Sequence, residues 1–258
     1  MKLELEGKVA FVTGGAKGVG ASACRAFVRE GARVAIVDRD AAAGGSLAAE
    51  LGAAAKFLSC DIAAGDDVAA AVAAAVAHFG ALHIIVNNAG IQSYGTVTGT
   101  TEAEWDRLMN VNLRGAFLCA HHGLPHLLRA GGGAVINVAS VQAFMAQASV
   151  AAYATSKTAL LGLTRSIAVD YAPTVRCVAV CSGSVDTPMF NAGLQESPDP
   201  AAVLAECRAM HLAGRIATPG EIADLIVYLA SPRAAFITGQ AVRIDGGLGV
   251  EIPGSKRS

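Results

Sequence analysis

Short apolar runs without alternation recur along this chain between longer helical patterns, and that rhythm constrains the fold more than any single residue. The runs at 34–37 and 84–86 are apolar at every position, as expected of strands covered on both faces. Strand candidates fall at 8–12, 33–37, 56–59, 82–86, 134–138, 175–180 and 241–244, with helical patterns between them. In the Ala-rich stretch, Val68, Val72 and Val76 recur every four residues on one helix face, closed by Gly80. Thr101 with Glu104 reads as a capping box, and Thr218, Pro219 and Glu221 as a second one with proline at the first helical position. Strands alternating with helices, and too far apart for hairpins, predict an α/β fold with a parallel, doubly wound sheet. A ligand of such a sheet is expected beyond the carboxyl ends of its strands.

Composition narrows the class. The 258 residues are 53% hydrophobic and only 16% charged, which excludes a disordered chain and allows a large core. No linker, composition break or repeat divides the sequence, so a single domain over 1–258 is expected. Lys and Arg total 20 against 21 Asp and Glu, a net charge of −1. That balance offers no basic footprint for nucleic acid and no polybasic cluster for a membrane surface. The longest apolar run, 68–77, is far short of the roughly 18 residues that suggest a membrane span. Residues 1–15 lack the pattern of a signal peptide, and a cytoplasmic protein is expected. The six cysteines, Cys24, Cys60, Cys119, Cys177, Cys181 and Cys207, form no C-x-x-C pair and read as reduced thiols. His122 and His126 have zinc-compatible spacing, but Pro125 interrupts the stretch and no acidic or Cys partner stands near. His121, His122 and His126 therefore read as a surface or interface helix, and no metal is expected.

The first strand runs into Thr13-Gly14-Gly15-Ala16-Lys17-Gly18-Val19-Gly20, followed by a helix. Glycines there permit a tight turn and a close backbone approach to a pyrophosphate, and the helix N-terminus supplies N–H groups and a positive dipole end. The spacing is G-x-x-x-G-x-G, and the loop's place at the first strand-to-helix junction strengthens the reading of a dinucleotide site. Asp38 ends the second strand, 18 residues after Gly20, where a carboxylate accepts from ribose hydroxyls and repels a 2′-phosphate. NAD is therefore preferred. NADP stays open because Lys17 and Arg39 are both suited to meet a phosphate. Asp61 and Ile62 close the third strand in the same way, within reach of the adenine.

At the chemical end, Tyr153 and Lys157 are four apart on a helical pattern and share a face. A free phenol, with a pKa of about 10, is a poor base at neutral pH. A lysine ammonium beside it and the positive ring of an oxidised nicotinamide both favour the phenolate. Ser140 ends the fifth strand. Asn88, Ala89 and Gly90 follow the fourth, and Asn112 lies inside a helical pattern. Together they place polar groups at strand ends, where a doubly wound fold holds its ligand.

In order and spacing, T-G-G-A-K-G-V-G, N-N-A-G, N-V-N, Ser140, Y-A-T-S-K and the late I-D-G-G closely resemble the short-chain dehydrogenase/reductase family, from Gly7 to Gly247. The resemblance implies a seven-stranded Rossmann sheet with helices on both faces and the cofactor across its top. It places a cofactor half at about 1–140, a catalytic and substrate half at about 141–258 and a lid at about 186–212. It also implies a tetrad. Tyr153 exchanges the substrate proton, and Ser140 holds the reacting oxygen. Lys157 lowers the tyrosine pKa and holds the nicotinamide ribose. Asn112 bends its helix and supports a water chain. Thr187, with the backbone of Val185, is implied to hold the carboxamide. Ser182-Gly183 stands where the family usually has Pro-Gly, and Val178 where it often has Asn, which bears on the rigidity of the loop carrying Val185 and Thr187.

Substrate contacts are expected from Gln92 and Gln142, whose amides suit hydroxyl groups. I-Q-S-Y-G, S-V-Q-A, D-Y-A-P, R-C-V-A-V-C and D-P-A-A resemble the aldose 1-dehydrogenase branch, in which the position of Gln92 carries an acidic residue. That resemblance implies oxidation of an aldose or another polyhydroxylated substrate. The alternatives are a 3-oxoacyl thioester, cyclic diol or ketone reductase of the same family, and, more remotely, a dinucleotide-sensing protein without catalysis. A homotetramer is implied, with the tail 250–258 either crossing an interface or fraying.

Overall fold

The computed structural model describes residues 5–250, so the expectation for the tail lies outside it from residue 251 onward. Strands β1 (Val9–Thr13), β2 (Arg33–Asp38), β3 (Ala55–Ser59), β4 (Ile84–Asn87), β5 (Gly133–Val138), β6 (Val175–Ser182) and β7 (Ala241–Ile244) form one sheet. Its order is β3-β2-β1-β4-β5-β6-β7, and every neighbouring pair is parallel. The strand order reverses direction between β1 and β4. That switch point opens a crevice beyond their carboxyl ends.

The even–odd parity of the strands explains the non-alternating runs. Ala10, Val12, Val34, Ile36, Val86 and Ile136 point to one face. They pack there under α1 (Gly18–Arg29) and α9 (Pro219–Ala230), against Phe27, Ile222 and Ile226. Val9, Phe11, Ala35, Val37, Ile85 and Val135 point to the other face. They meet α3 (Gly65–Phe79), α5 (Gly115–Arg129) and α6 (Ala151–Tyr171) through Val68, Val72, Leu118, Leu124 and Ile167. Both faces are therefore apolar by necessity. Helix α2 (Ala41–Leu51) packs on β3, with Gly44 against the Phe57 ring.

Helix α3 ends on Gly80 in the left-handed conformation, as the valine spacing predicts. Both capping boxes form, at the starts of α4 (Glu102–Met109) and α9. Between α4 and α5 the chain makes a π-helical turn, Asn110–Arg114. The expectation that Pro125 interrupts the following helix is corrected: α5 runs through it to Arg129. A proline removes one ladder donor. Here Leu118, Leu124 and Leu127, all buried, hold the helix in place.

Candidate active site

The glycine turn is clamped across the switch point. The Thr13 hydroxyl donates to Val86 O at 3.2 Å and accepts from the backbone N–H groups of Asn88 and Ala89, each at 3.1 Å. The Asn88 side-chain amide donates to Thr13 O and Gly14 O, each at 3.0 Å. Asn88 thus fastens the β1 turn to β4, a positioning contact that the sequence reading did not separate from cofactor contact. Gly14 has φ +60°, and a Cβ on Gly20 would lie 2.1 Å from Gly14 O. Lys17 is the N-cap of α1, and no side chain caps the helix. Gly18 faces Thr187, whose Cγ2 would be 3.3 Å from an added Cβ. An uncapped N-terminus at a turn where side chains collide, closed from above by Thr187, fits a dinucleotide pyrophosphate. Gly20→Ala is expected to weaken NADH binding at least about 10-fold, because the turn must shift, and to lower stability by about 1–3 kcal/mol. Fluorescence titration and thermal unfolding check both.

Asp38 accepts from Ala16 N at 3.1 Å and from Asp40 N at 3.0 Å, which fixes the carboxylate at the end of β2. Lys17 is drawn to Asp40, with Nζ 2.6 Å from Oδ2, and this hydrogen-bonded pairing raises the lysine pKa, while the Ala43 N–H first and Lys17 second hold the Asp40 carboxyl below its usual value. Arg39 is exposed. Asp61 is also exposed, its Oδ1 accepting from Ala63 N at 3.0 Å. Ile62 is buried, with its side chain against Gly115 at the start of α5.

On the other side of the crevice, the π turn carries Asn112 inward. Its Nδ2 donates to Ile91 O at 2.9 Å and to Ser156 Oγ at 3.1 Å, and its Oδ1 accepts from Ile91 N at 2.8 Å. The amide therefore ties the loop after β4 to α6. Lys157 is buried and donates from Nζ to Val138 O at 2.9 Å. Nζ also lies 5.6 Å from the centroid of the Tyr153 ring. Gly90 leaves room between Asn112 and Lys157: its Cβ would be 3.4 Å from Asn112 Oδ1 and 3.5 Å from Lys157 Nζ. Ser140 caps the 3₁₀ turn Val141–Ala143, accepting from Gln142 N at 3.2 Å.

In the protein alone, the balance of influences on the Tyr153 phenol runs upward. Burial pushes the phenol up to about 12, outweighing a hydrogen bond with Ser140 that works the other way. Burial also lowers Lys157 to about 8. The ammonium lies over the ring at 5.6 Å from its centroid and is bonded to a carbonyl, and the cost of burying a phenolate is the larger influence on the phenol.

Gln92 is half-buried, and Gln142 holds its Oε1 buried without a partner. Val185 pairs with Ala217 in a short parallel bridge, and Thr187 caps α7 (Pro188–Gln195) by accepting from Phe190 N at 3.2 Å. Helices α7 and α8 (Pro200–Ala209) make up most of the segment expected to act as a lid. His211, not singled out from the sequence, anchors the end of the lid. Its Nε2 accepts from Ser184 N at 3.1 Å, and Nδ1 lies 2.6 Å from Cys207 O. Gly183 is needed beneath it, since a Cβ there would be 2.6 Å from the ring nitrogen. The Ser182-Gly183 departure is thus held by a histidine, and Val178 is simply core. A buried chain also went unread: Asn87 Nδ2 donates to Asn137 Oδ1 at 2.8 Å, and Asn137 Nδ2 to Thr164 Oγ1 at 2.9 Å. Among the described residues, no group of three or more His, Cys, Asp or Glu is placed to hold a metal, and no helix is long and apolar enough to cross a membrane.

A parallel sheet with a glycine turn at its switch point, faced across the crevice by a buried polar cluster, defines a Rossmann-type protein. Within that class the chain belongs to the short-chain dehydrogenase/reductase family, a family of oxidoreductases. A family model described as enoyl-(acyl carrier protein) reductase matches residues 14–249. The chain is 38% identical over 252 residues to 2-(S)-hydroxypropyl-CoM dehydrogenase 3 of Xanthobacter autotrophicus, covering 96% of this chain and 99% of that one. Among solved structures it resembles the aldohexose dehydrogenase of Thermoplasma acidophilum, with a TM-score of 0.91, 34% identity and full coverage of both chains. It also resembles a 3-ketoacyl-(acyl-carrier-protein) reductase from Brucella melitensis complexed with NADH. There the TM-score is 0.88 and the identity 35%, covering 95% of this chain and 99% of that one.

Proposed function

We propose that this chain is a NAD-dependent dehydrogenase of a secondary or anomeric alcohol on a small polyhydroxylated substrate, an aldose in the first instance. The observation that carries the reading is the convergence of Ser140, Tyr153, Lys157 and Asn112 beside Gly90, at the carboxyl ends of β4 and β5, across the crevice from the glycine turn. When bound, the nicotinamide supplies a hydride acceptor at its C4. Gly14, Lys17, Gly18, Val19 and Gly20 cradle the pyrophosphate, and Asp38 takes the adenosine ribose. Asn88, Ala89, Gly90, Val185 and Thr187 line the path between them, with Asp61 and Ile62 at its adenine end. Ser140 holds the reacting oxygen, and Tyr153 removes its proton in oxidation and returns one in reduction. Lys157 keeps a positive charge under the site, and Asn112 fixes α6 against the loop after β4. Gln92 and Gln142 offer amides to substrate hydroxyls.

The fixed Asp38 carboxylate and the engagement of Lys17 by Asp40 both favour NAD over NADP. Asp38→Ala is expected to lower kcat/KM for NAD about 10-fold or more while raising it for NADP, since a carboxylate that accepts from a ribose hydroxyl is lost together with its repulsion of a phosphate. Initial rates with both cofactors check this. The aldose reading rests on the branch resemblance and on the likeness to the aldohexose dehydrogenase. A panel of aldoses, cyclic diols and 3-oxoacyl thioesters with NAD(H) tests it. Turnover confined to thioesters would replace it with the reductase alternative, which the likeness to the ketoacyl reductase favours. Binding of NADH without turnover of any alcohol or ketone would favour a sensor.

The enzyme is proposed to work as a cytoplasmic homotetramer. Phe117 on α5 and Val169 on α6 are 49% and 80% exposed, apolar side chains suited to burial against a second copy. The cysteines are all free, which fits a reducing compartment.

A further inference from the structure

Tyr94 stands out in the loop between β4 and α4. Its side chain is 55% exposed, yet it lies close enough to Tyr153 for the two phenols to influence each other electrostatically. Its hydroxyl faces the lid. A Cβ on Gly193 in α7 would be 3.0 Å from Tyr94 Oη and 3.9 Å from the ring. Glu196 and Cys207 of the lid also act on the phenol, which partial burial shifts upward.

The backbone fixes this position relative to the catalytic helix. Gly95 N donates to Ser149 O at 2.7 Å, and Ala151 N donates to Gly95 O at 3.2 Å. Ser149 adopts φ +58°, a strained conformation for serine, to make that junction just ahead of α6. Tyr94 is therefore tied through Gly95 to the start of the catalytic helix, and its hydroxyl lies against α7, where Gly193 leaves room for it.

We propose that Tyr94 is the specificity-determining residue at the mouth of the site. Its ring stops multi-ring alcohols, and its hydroxyl bonds a hydroxyl of a compact polyol remote from the reacting carbon. A phenol suits both tasks, having an apolar body and a tip that donates and accepts. The inference deepens the proposed dehydrogenase reading and rests on it.

The test measures kcat and KM separately in the full chain with NAD, for Tyr94→Phe and Tyr94→Ala. The probes are the best polyol, cyclohexanol and a hydroxysteroid. Tyr94→Phe is expected to raise KM for the polyol about 10-fold, the effect of one lost hydrogen bond, with kcat and cyclohexanol kinetics nearly unchanged. Tyr94→Ala is expected in addition to raise the hydroxysteroid rate relative to cyclohexanol. An unchanged polyol-to-cyclohexanol ratio in Tyr94→Phe overturns the proposal and leaves the dehydrogenase reading intact. So does an equal fall in kcat for all probes in Tyr94→Ala, because the residue would then only support the loop. No turnover of any probe by the unaltered protein overturns both readings.

Discussion

Tyr153→Phe is expected to lower kcat for alcohol oxidation about 10³-fold, within the range for loss of a general acid–base group, while NADH still binds. Lys157 is engaged by Val138 O, whereas the phenol is hydrogen-bonded to Ser140. Its environment also sets a pH dependence. With the phenol pushed up to about 12, the phenolate is a small fraction at neutral pH and grows about tenfold per pH unit. In the proposed mechanism oxidation needs the phenolate and reduction the neutral phenol. The kcat/KM for oxidation is therefore expected to climb through the neutral and alkaline range, whereas that for reduction stays flat there. Positive charge brought by oxidised cofactor shifts the climb to lower pH without reversing it. Initial rates in both directions across pH check this. A pH-independent oxidation, or a Phe variant with unaltered kcat, would take the proton role from Tyr153.

The sheet was legible because its chemistry is repetitive. Runs such as Val34–Ala35–Ile36–Val37 have no polar position, and only a strand covered on both faces tolerates that. The glycine turn and the Tyr153–Lys157 spacing were legible because each depends on neighbours in sequence. Contacts closed by the fold were not. The sequence placed Asn88 at the crevice, but only the clamp onto Thr13 and Gly14 shows that its amide faces the turn. His211 lies 27 positions from Ser184, and nothing local marks it as the anchor of the lid. The π turn at Asn110–Arg114 is hidden because its residues also suit an ordinary helix. The surroundings of Tyr153 are likewise closed by the fold. The spacing shows that a lysine is near, but not that burial is the larger influence.

That burial makes Lys157 the site of the second large effect. Lys157→Met is expected to lower kcat about 10²-fold or more by removing a preorganised charge from the reacting centre, and at the same time to raise stability. In the folded protein the lysine pKa falls from its usual 10.5 to about 8. At pH 7 the lysine is charged in both states, and the folded state bears the whole cost of burying it, about 3 kcal/mol from that difference. Losing the bond to Val138 O takes back about 1 kcal/mol, leaving a net gain of about 2 kcal/mol for methionine of similar length. Between about pH 8 and about pH 10.5 the folded lysine loses its proton while the unfolded one keeps it, so the unaltered protein grows more stable as pH rises. Methionine has no such dependence, so its advantage in thermal unfolding is greatest below pH 8 and shrinks toward pH 10.5. An equal loss of stability at every pH would mean that the lysine is held by contacts outweighing its burial. The expected combination, a more stable and nearly inactive protein, marks a charge kept in the core for the reaction at a cost to the fold.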